Sequence, residues 1–452
     1  MSSNKLNSLE KRSIFALASV YGLRMYGLFL ILPVLAIYAE QLDGATPMLM
    51  GIALGVYGIT QAIFQIPFGI LSDKFGRKPI IIVGLSIFIL GSLVAAFSTS
   101  ITGVIIGRAL QGSGAIAAVV LALTSDLTRE SQRTKAMAMI GMTIGLAFML
   151  ALISAPWLEF FLSVKGLFIM TAALTFGSMI VVLKVVPTPQ QVRNLEVRPV
   201  PEQMLKLLRN PQLIRLDLGI FILHFVLTAM FVAVPIILIQ EMGLQTGEHW
   251  AVYVPALLIS VILMVPLIIL SAKKQLVQRI FFVAVCLLVV SQLLFLARPS
   301  GQAAITVCLL VFFWGFNLLE AMLPSLVSRL SPAASKGSAM GVYNTFQFTG
   351  IFFGGFLGGT VYGNFGVNAV FALCGLLLLI WAAILFFAPK MTLLDSLVVK
   401  LDAESQQDYE LGLSSVGGVE EVIVIKSESI AYLKVDKSKL DEQALDLIIA
   451  KG

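Results

Sequence analysis

Long apolar stretches alternate with short polar segments along most of this chain. An α-helix needs about 20 apolar residues to cross the core of a bilayer. The stretches of about that length lie near residues 14–38, 48–70, 79–99, 102–124, 136–158, 165–186, 216–240, 250–270, 280–297, 302–328, 337–361 and 367–388. The pattern predicts an all-α membrane protein with twelve transmembrane helices. The first stretch is too long for a signal-peptide core, so we expect no cleavage there.

The composition supports a membrane protein. Hydrophobic residues make up 58% of the chain and charged residues 12%, whereas soluble domains average about a quarter charged residues. A soluble chain is therefore excluded. Cys286, Cys308 and Cys374 lie inside predicted spans and form no Cys-x-x-Cys pair, so we expect packing cysteines, with no disulfide and no metal site.

Lysine and arginine are distributed unevenly between the two sides of the predicted bundle. If the N-terminus is cytoplasmic, basic residues gather in the cytoplasmic segments, and the opposite loops hold only Lys165 and Arg298. Cytoplasmic loops carry the excess of basic residues in membrane proteins. We therefore predict a multi-pass protein of the cell inner membrane with cytoplasmic N- and C-termini. The net charge of +6 then reflects topology, and we expect no nucleic-acid partner.

A proline-rich polar segment, Pro187–Arg215, divides the apolar stretches into two sets of six. Within it, Glu202–Arg209 favours a short amphipathic helix on the membrane surface over a free coil. Similar sequences, Lys135–Met139 and Lys336–Met340, open the fifth and eleventh stretches. We therefore predict two pseudo-symmetric six-helix halves joined by a cytoplasmic linker. The first half covers residues 1–190, the linker residues 191–215 and the second half residues 216–389.

Residues 391–452 form a small acidic segment without a long apolar run. Alternating positions predict strands, and the order strand, helix, strand, strand, helix runs over Ser396–Leu401, Ser405–Val416, Val419–Lys426, Ile430–Asp436 and Asp441–Ala450. This order resembles a small α+β ferredoxin-like domain of the heavy-metal-associated kind, but it contains no cysteine. About 60 residues give a marginal core, so we expect docking on the membrane part or self-association.

A charge-dense loop, Gly69-Ile-Leu-Ser-Asp-Lys-Phe-Gly-Arg-Lys78, lies between the second and third stretches. Its charges must sit at a membrane–water boundary, and Gly69 and Gly76 permit a tight turn. The pattern G-x-L-x-D-x-x-G-R-K resembles the loop motif of the major facilitator superfamily of secondary transporters, with Ser72 where the family often has alanine. The simpler interpretation is that these charges only mark the boundary.

The resemblance implies a conformational latch at this loop. Asp73 would face the start of the eleventh span near 336–341, where helix N–H groups present partial positive charge. Arg77 would pair with Asp126 at the end of the fourth span. Such a latch favours the state open to the outside, and breaking it permits rocking of the halves. The latch residues are Gly69, Asp73, Gly76, Arg77, Lys78 and Asp126.

A second motif lies in the fourth span. The sequence Arg108-Ala-Leu-Gln111-Gly112-Ser-Gly-Ala resembles the family's R-x-x-Q-G-x-G-A motif. A cation at that depth costs about 2.5–3.5 kcal/mol on insertion scales, so it should face the bundle interior or water. We favour a functional or coupling role for Arg108, Gln111 and Gly112. The alternative is an arginine that snorkels to the nearby interface.

Other polar side chains lie inside predicted spans, where they are costly and often functional. His224 and Glu320 lie at similar depth in the same half. Burial disfavours the charged form of a carboxyl group, so Glu320 is a candidate proton carrier and His224 a weaker one. The alternative is packed, hydrogen-bonded polar residues. The candidate cavity or proton-site residues are Arg24, His224, Asn317, Glu320, Asn344 and Gln347.

The resemblance implies a secondary active transporter of small organic compounds that works by alternating access. A small acidic domain after the last span is typical of a drug-efflux-like member, which implies proton-coupled export. Gly141, Gly145, Ala155 and Pro156 partly resemble the glycine–proline motif of antiporters. The alternative is a transporter-like sensor that binds a ligand or partner through its C-terminal domain. We expect neither an enzyme nor a cofactor, because only two histidines are present and catalytic or metal-ligand clusters are absent.

Overall fold

The computed structural model describes residues 6–188, 207–271, 274–298, 300–331, 336–389, 391, 394–401, 409–425, 430–436 and 439–450. Most of the predicted amphipathic helix over Glu202–Arg209 lies outside these residues. The first half begins with α1, whose N-terminus has a capping box formed by Asn7 and Glu10. Its helices are α1 Ser8–Leu30, α2 Leu32–Ala39, α3 Pro47–Phe75, α4 Arg77–Phe97, α5 Ile101–Ser113, α6 Ala117–Asp126 and α7 Glu130–Lys184.

The second half has longer uninterrupted helices. Asn210 caps the first of them by accepting hydrogen bonds from the backbone N–H groups of Gln212 and Leu213. The helices are α8 Pro211–Gln240, α9 Trp250–Ser271, α10 Lys274–Leu296, α11 Gln302–Leu330, α12 Lys336–Phe365 and α13 Val367–Phe387, with a 3₁₀ turn at Thr246–Glu248.

Ten helical stretches of the described residues are long and apolar enough to cross a membrane. The stretch Lys135–Lys184 has 50 residues, more than two single crossings need, and it is interrupted by non-helical Ser163 with φ 55°. Another helix, α12, has 30 residues and is not one of the ten. The fourth predicted span is broken at Gly114 between α5 and α6, which the apolar pattern did not predict.

The same packing pattern occurs in both halves. In the first half, α1 packs on α7, α3 packs on α5, and α4 packs on α5 and α7. In the second half, α8 packs on α12, α9 packs on α11, and α10 packs on α11 and α13. Each half therefore has the same order of neighbours, as expected for an internal repeat.

The halves meet along α3 and α12, where glycines let the backbones touch. A β-carbon at Gly51 would lie 2.0 Å from the carbonyl oxygen of Gly355, and one at Gly355 would lie 2.3 Å from that of Gly51. Small residues permit such close helix approach in membranes. Further along, Gln65 Nε2 donates to Thr345 Oγ1 at 2.6 Å. This contact joins the two halves over most of the bundle's depth.

The C-terminal segment forms an antiparallel sheet with strand order β1-β3-β2. Ala431, Leu433 and Val435 are fully buried in its core beside Leu413 and Leu445 of the two helices. The predicted elements match in type, although residues 402–408 and 426–429 lie outside the described part. The elements are β1 Asp395–Lys400, α14 Tyr409–Ser414, β2 Val419–Ile425, β3 Ile430–Val435 and α15 Glu442–Ala450.

Candidate functional site: charged contacts at one end of the bundle and a polar cluster at its centre

The loop after α3 is a one-residue turn. Gly76, with φ 94° and ψ 151°, separates the last residue of α3 from the first residue of α4. Glycine adopts such positive φ without a steric penalty. The prediction that Gly69 also forms the turn was wrong, since α3 continues through Asp73 to Phe75 and a β-carbon at Gly69 would meet nothing within 4 Å. We call the side of the bundle that carries this turn the basic side.

Arg77 connects three elements on the basic side. Its Nε donates to Asp126 Oδ2 at 3.1 Å, across to the end of α6. Its Nη1 donates to the Ser72 hydroxyl at 2.7 Å and pairs with Asp73 on α3. Ser72, the residue that departs from the common motif, thus becomes a ligand of the guanidinium. Lys78 Nζ donates to the carbonyl oxygen of Val186 at 2.9 Å, where a cation stabilises a helix C-terminus.

Among the described residues, no contact joins Asp73 to α12. Its side chain is 55% exposed, and β-carbons at Gly337 and Gly341 of α12 would meet nothing within 4 Å. The side chain of Lys336 lies outside the described part. The latch contact between Asp73 and the start of α12 therefore stays a prediction.

A second ion pair on the basic side was missed by the sequence analysis. The Glu10 carboxylate is almost fully buried and accepts from the Arg129 backbone N–H at 3.0 Å, from Nε at 2.9 Å and from Nη2 at 2.9 Å. It also accepts from the Asn7 backbone N–H at 2.8 Å. Multiple donors of this kind stabilise a buried carboxylate. The signal in the sequence was the Asn-x-x-Glu capping box.

Arg108 is fully buried and has no carboxylate partner among the described residues. Its Nη1 donates to Gln111 Oε1 at 2.8 Å, and Gln111 Nε2 donates to the Ser92 hydroxyl at 2.8 Å. Its guanidinium also lies 4.5 Å from the Tyr57 ring centroid, a cation–π contact. At Gly112, a β-carbon would lie 2.1 Å from the Tyr57 carbonyl oxygen. The motif therefore ties α5 to α3 and α4, facing the interior.

Arg24 is also fully buried. Its Nη2 donates to the carbonyl oxygen of Gly114 at 3.0 Å and to Gln61 Oε1 at 3.2 Å. The guanidinium lies 5.0 Å from the Phe88 ring centroid. The break between α5 and α6 leaves the Gly114 carbonyl free to accept. Arg24 therefore donates a hydrogen bond to a backbone carbonyl at the break between α5 and α6. The apolar pattern could not reveal this role.

The second half contains a polar cluster of three candidate residues from three helices. Gln347 Nε2 of α12 lies 2.8 Å from His224 Nε2 of α8, and His224 Nε2 lies 3.8 Å from Glu320 Oε2 of α11. An amide N–H donates in the first contact, so the imidazole accepts and is neutral. The Glu320 side chain is 36% exposed, whereas His224 is buried. Asn317 is drawn away to the Ser260 hydroxyl at 3.0 Å, and no hydrogen bond joins half-buried Asn344 to the described members of the cluster.

An aromatic layer covers this cluster on the side away from the basic side. Phe148 of α7 packs on Phe29 of α1 at 5.1 Å between centroids and on Phe316 of α11 at 5.9 Å. Phe316 also contacts the His224 ring at 5.8 Å and lies one helical turn beyond Glu320. The halves also touch at the far end, where Gly247 meets Phe160. These contacts join the two halves on the far side of the cluster.

Sequence comparison assigns the family. The sequence model of the Major Facilitator Superfamily matches residues 17–355. The chain belongs to this superfamily of membrane transporters. It is 42% identical over 439 residues to "Inner membrane transport protein YajR" of Escherichia coli (strain K12), covering 96% of each chain. It is 37% identical over 351 residues to "Uncharacterized transporter BU466" of Buchnera aphidicola subsp. Acyrthosiphon pisum (strain APS), covering 77% of this chain and 90% of that one.

Solved structures of the superfamily share the fold. A bacterial homolog of the human lysosomal transporter Spinster, in an inward-facing and occupied conformation, has a TM-score of 0.71 at 12% identity and covers 84% of this chain and 97% of its own. A D-xylose-proton symporter has a TM-score of 0.65 at 13% identity and covers 83% and 97%. Such identities show the fold alone. Among the described residues, no group of three or more His, Cys, Asp or Glu side chains could hold a metal ion.

Proposed function

We propose that this protein is a secondary active transporter that exports small organic compounds in exchange for protons. The observation that carries the proposal is the cluster of His224, Glu320 and Gln347. It puts a carboxyl oxygen that is buried, and has no hydrogen-bond partner among the described residues, 3.8 Å from the His224 imidazole. Protonatable groups inside membrane spans are typical of proton relays. The family and the Escherichia coli relative, named a transport protein, support transport.

We infer that the membrane part crosses the bilayer twelve times. The interruption at Ser163 divides α7 into two crossings, α12 is long enough for another, and the repeated packing pattern requires six per half. The basic side is then cytoplasmic by the distribution of Lys and Arg. The protein lies in the inner membrane, as the name of the Escherichia coli relative says of that protein.

The proposed cycle rocks the two halves about the central cluster. In this cycle, the aromatic layer would seal the outer side while protons and compounds reach Glu320 from the cytoplasmic side. Closure of that side would bring Asp73 towards the N-terminus of α12, where its charge is favourable. The Arg77–Asp126 pair holds the end of α6 beside the turn and so keeps Asp73 in place. Small organic compounds would bind beside Glu320, below the aromatic layer.

Proton exchange at the cluster follows from its hydrogen bonds. When Glu320 takes up a proton, its charge disappears and a neutral His224 stays bound to the Gln347 amide. When His224 is protonated instead, both ring nitrogens become donors, so the Gln347 amide must turn its oxygen to the ring. The resulting imidazolium attracts the Glu320 carboxylate across 3.8 Å. A substrate that binds to the unprotonated Glu320 carboxylate would then compete with the proton for this cluster.

The C-terminal domain is proposed to have a ferredoxin-like fold and to dock on the membrane part. Its order of strands, β1-β3-β2, and its two helices fit that fold, with three strands in the described part of the domain. Lys434 of β3 is 1% exposed, and its Nζ donates to the carbonyl oxygens of Ser328 and Arg329 at 3.2 and 2.9 Å. These carbonyls end α11, the helix that carries Glu320, so the domain stabilises one position of that helix.

Transport itself is tested with purified protein in proteoliposomes under an imposed pH gradient. Ethidium and tetraphenylphosphonium serve as organic cation probes, and a dye reports proton movement. Exchange moves protons and probe in opposite directions. We therefore expect the probe to accumulate against its gradient only in a compartment that is more acidic than the one it leaves. A wider screen of apolar organic compounds follows if these probes fail. A protein that moves no compound but binds ligand at its C-terminal domain would support the sensor alternative.

Replacement of Lys434 by methionine should release the C-terminal domain. The change keeps the length of the side chain but removes the cation that caps α11, an interaction of about 0.3–1 kcal/mol at a helix C-terminus. Hydrogen–deuterium exchange should become faster in the last turn of α11 and in β3. Lys439→Met is the matched control, since the Lys439 side chain is 74% exposed. Equal exchange in both variants would contradict docking through Lys434.

A further inference from the structure

A second carboxyl group, Asp217, lies buried near the same cluster and has no role in the proposed cycle. Its residue is 3% exposed, and its Oδ1 has no hydrogen-bond partner among the described residues. Asp217 is the seventh residue of α8, beyond the first turn in which free N–H groups and the helix dipole stabilise an anion. Nothing in its own helix therefore compensates a charge at this position.

The neighbouring cation on α8 does not neutralise Asp217. Arg215 lies two residues earlier, and side chains at that spacing do not face each other on a helix. Its Nη1 instead donates to the carbonyl oxygen of Pro389 at 3.0 Å. A buried carboxylate without a paired cation is costly. Such a group is best accommodated by binding a proton.

Tyr343 of α12 lies one helical turn before Gln347, the member of the cluster on that helix. Its side chain is 2% exposed, and its hydroxyl has no hydrogen-bond partner among the described residues. Helix packing explains this position, because a β-carbon at Gly350 would lie 2.3 Å from the Phe221 carbonyl oxygen. With α8 and α12 running parallel, this register puts Tyr343 within about one turn of Asp217.

We propose that Asp217 is a second proton-binding site that exchanges protons with Glu320 through the Tyr343 hydroxyl. The transfer takes place in a conformation that brings the Tyr343 hydroxyl into hydrogen-bond distance of both groups. There, the protonated Asp217 carboxyl group gives its proton to the Tyr343 oxygen, and Tyr343 gives its own hydroxyl proton to the Glu320 carboxylate. One O–H bond breaks and one forms at each step, and Tyr343 ends unchanged. The proposal rests on the proposed function and deepens it, since the second half would then store up to two protons.

Other titratable or charged groups on the packed helices are few. On α11, Arg329 lies near the end on the basic side, nine residues beyond Glu320. On α8 itself, His224 contacts Glu320 at 3.8 Å. The helices α2, α3 and α13 also pack on α8. Their titratable or charged side chains are Tyr38 on α2, Tyr57, Asp73 and Lys74 on α3, and Cys374 on α13.

Infrared difference spectroscopy of the purified full-length protein tests the proposal without any transported compound. On acidification, we expect two buried carboxyl groups of the second half to gain C=O stretching bands. Asp217→Asn should remove one band and Glu320→Gln the other. Tyr343→Phe should keep both bands, and in that background Asp217→Asn should no longer shift the pH midpoint of the Glu320 band. If Asp217→Asn folds poorly, Asp217→Glu is the second variant to measure. It keeps a carboxyl group at this position and should still show two bands.

Matched variants control for general effects on packing. Glu241→Gln changes an exposed carboxyl group just after the far end of the same helix, and Tyr253→Phe removes another buried hydroxyl. Neither should change the two bands or their coupling. The proposal is overturned if Asp217→Asn leaves the spectrum unchanged, or if the midpoint shift persists in Tyr343→Phe. Two coupled bands in a protein that moves none of the screened compounds in exchange for protons would leave the second site standing and refute the transport proposal instead.

Discussion

Glu320→Gln is expected to abolish proton-driven accumulation while leaving exchange of the transported compound between the two sides of the membrane. Glutamine has nearly the same shape as glutamic acid but cannot release or bind a proton at neutral pH. The contact with His224 at 3.8 Å then no longer responds to protonation, so the two states of the cycle lose their link to the pH gradient. Proteoliposomes loaded with probe on both sides measure exchange, and an imposed pH gradient measures accumulation.

The control for this variant lies in the first half. Glu159→Gln alters a half-buried carboxyl group of α7, far from the His224 cluster, and should leave accumulation unchanged. Glu320→Asp should retain part of the coupling, because the titratable group remains on a shorter side chain. If Glu320→Gln still accumulates probe under a pH gradient at the rate of the unaltered protein, Glu320 is not the proton carrier, although the family assignment would be unaffected.

The parts of the fold that were predicted from the sequence depend on local sequence signals. The limits of the spans follow from the length of apolar runs, and the turn at Gly76 follows from its glycine and the charges around it. The three strands of the small domain follow from alternation in segments such as Ile430–Val435. The break at Gly114 was missed, since apolar residues flank it on both sides and hydropathy does not register a change of helix direction.

The site was harder to predict because most spans are apolar on all sides. A helix without an amphipathic stripe does not reveal which face points inward, so Arg24 and Asn317 were grouped with His224 although the structure turns them to different partners. Asp217 was not among the candidates, although it lies inside the predicted seventh span, two residues from the end of the proline-rich segment. The conformational state also decides contacts, as the exposed Asp73 shows, and a sequence pattern describes no single state.

Gly355→Ala is expected to separate the two halves where α3 and α12 touch. The new β-carbon would lie 2.3 Å from the Gly51 carbonyl oxygen and 3.1 Å from the Gly55 nitrogen. Both neighbours are backbone atoms, so neither helix can yield by turning a side chain. Overpacking of this kind costs roughly 1–3 kcal/mol. The variant should therefore unfold at lower denaturant concentration and show slower transport, because α3 and α12 form the long contact about which the halves move.

The matched control is Gly177→Ala in α7, where a β-carbon would meet nothing within 4 Å. Both changes make the same gain in helix propensity, about 1 kcal/mol in a helix interior, so a difference between them isolates the contact between halves. We expect Gly177→Ala to be as stable as the unaltered protein or more so. Equal stability of the two variants would mean that α3 and α12 do not approach at Gly355. The rocking axis would then have to lie elsewhere, and the glycines of α12 would lose their mechanical role.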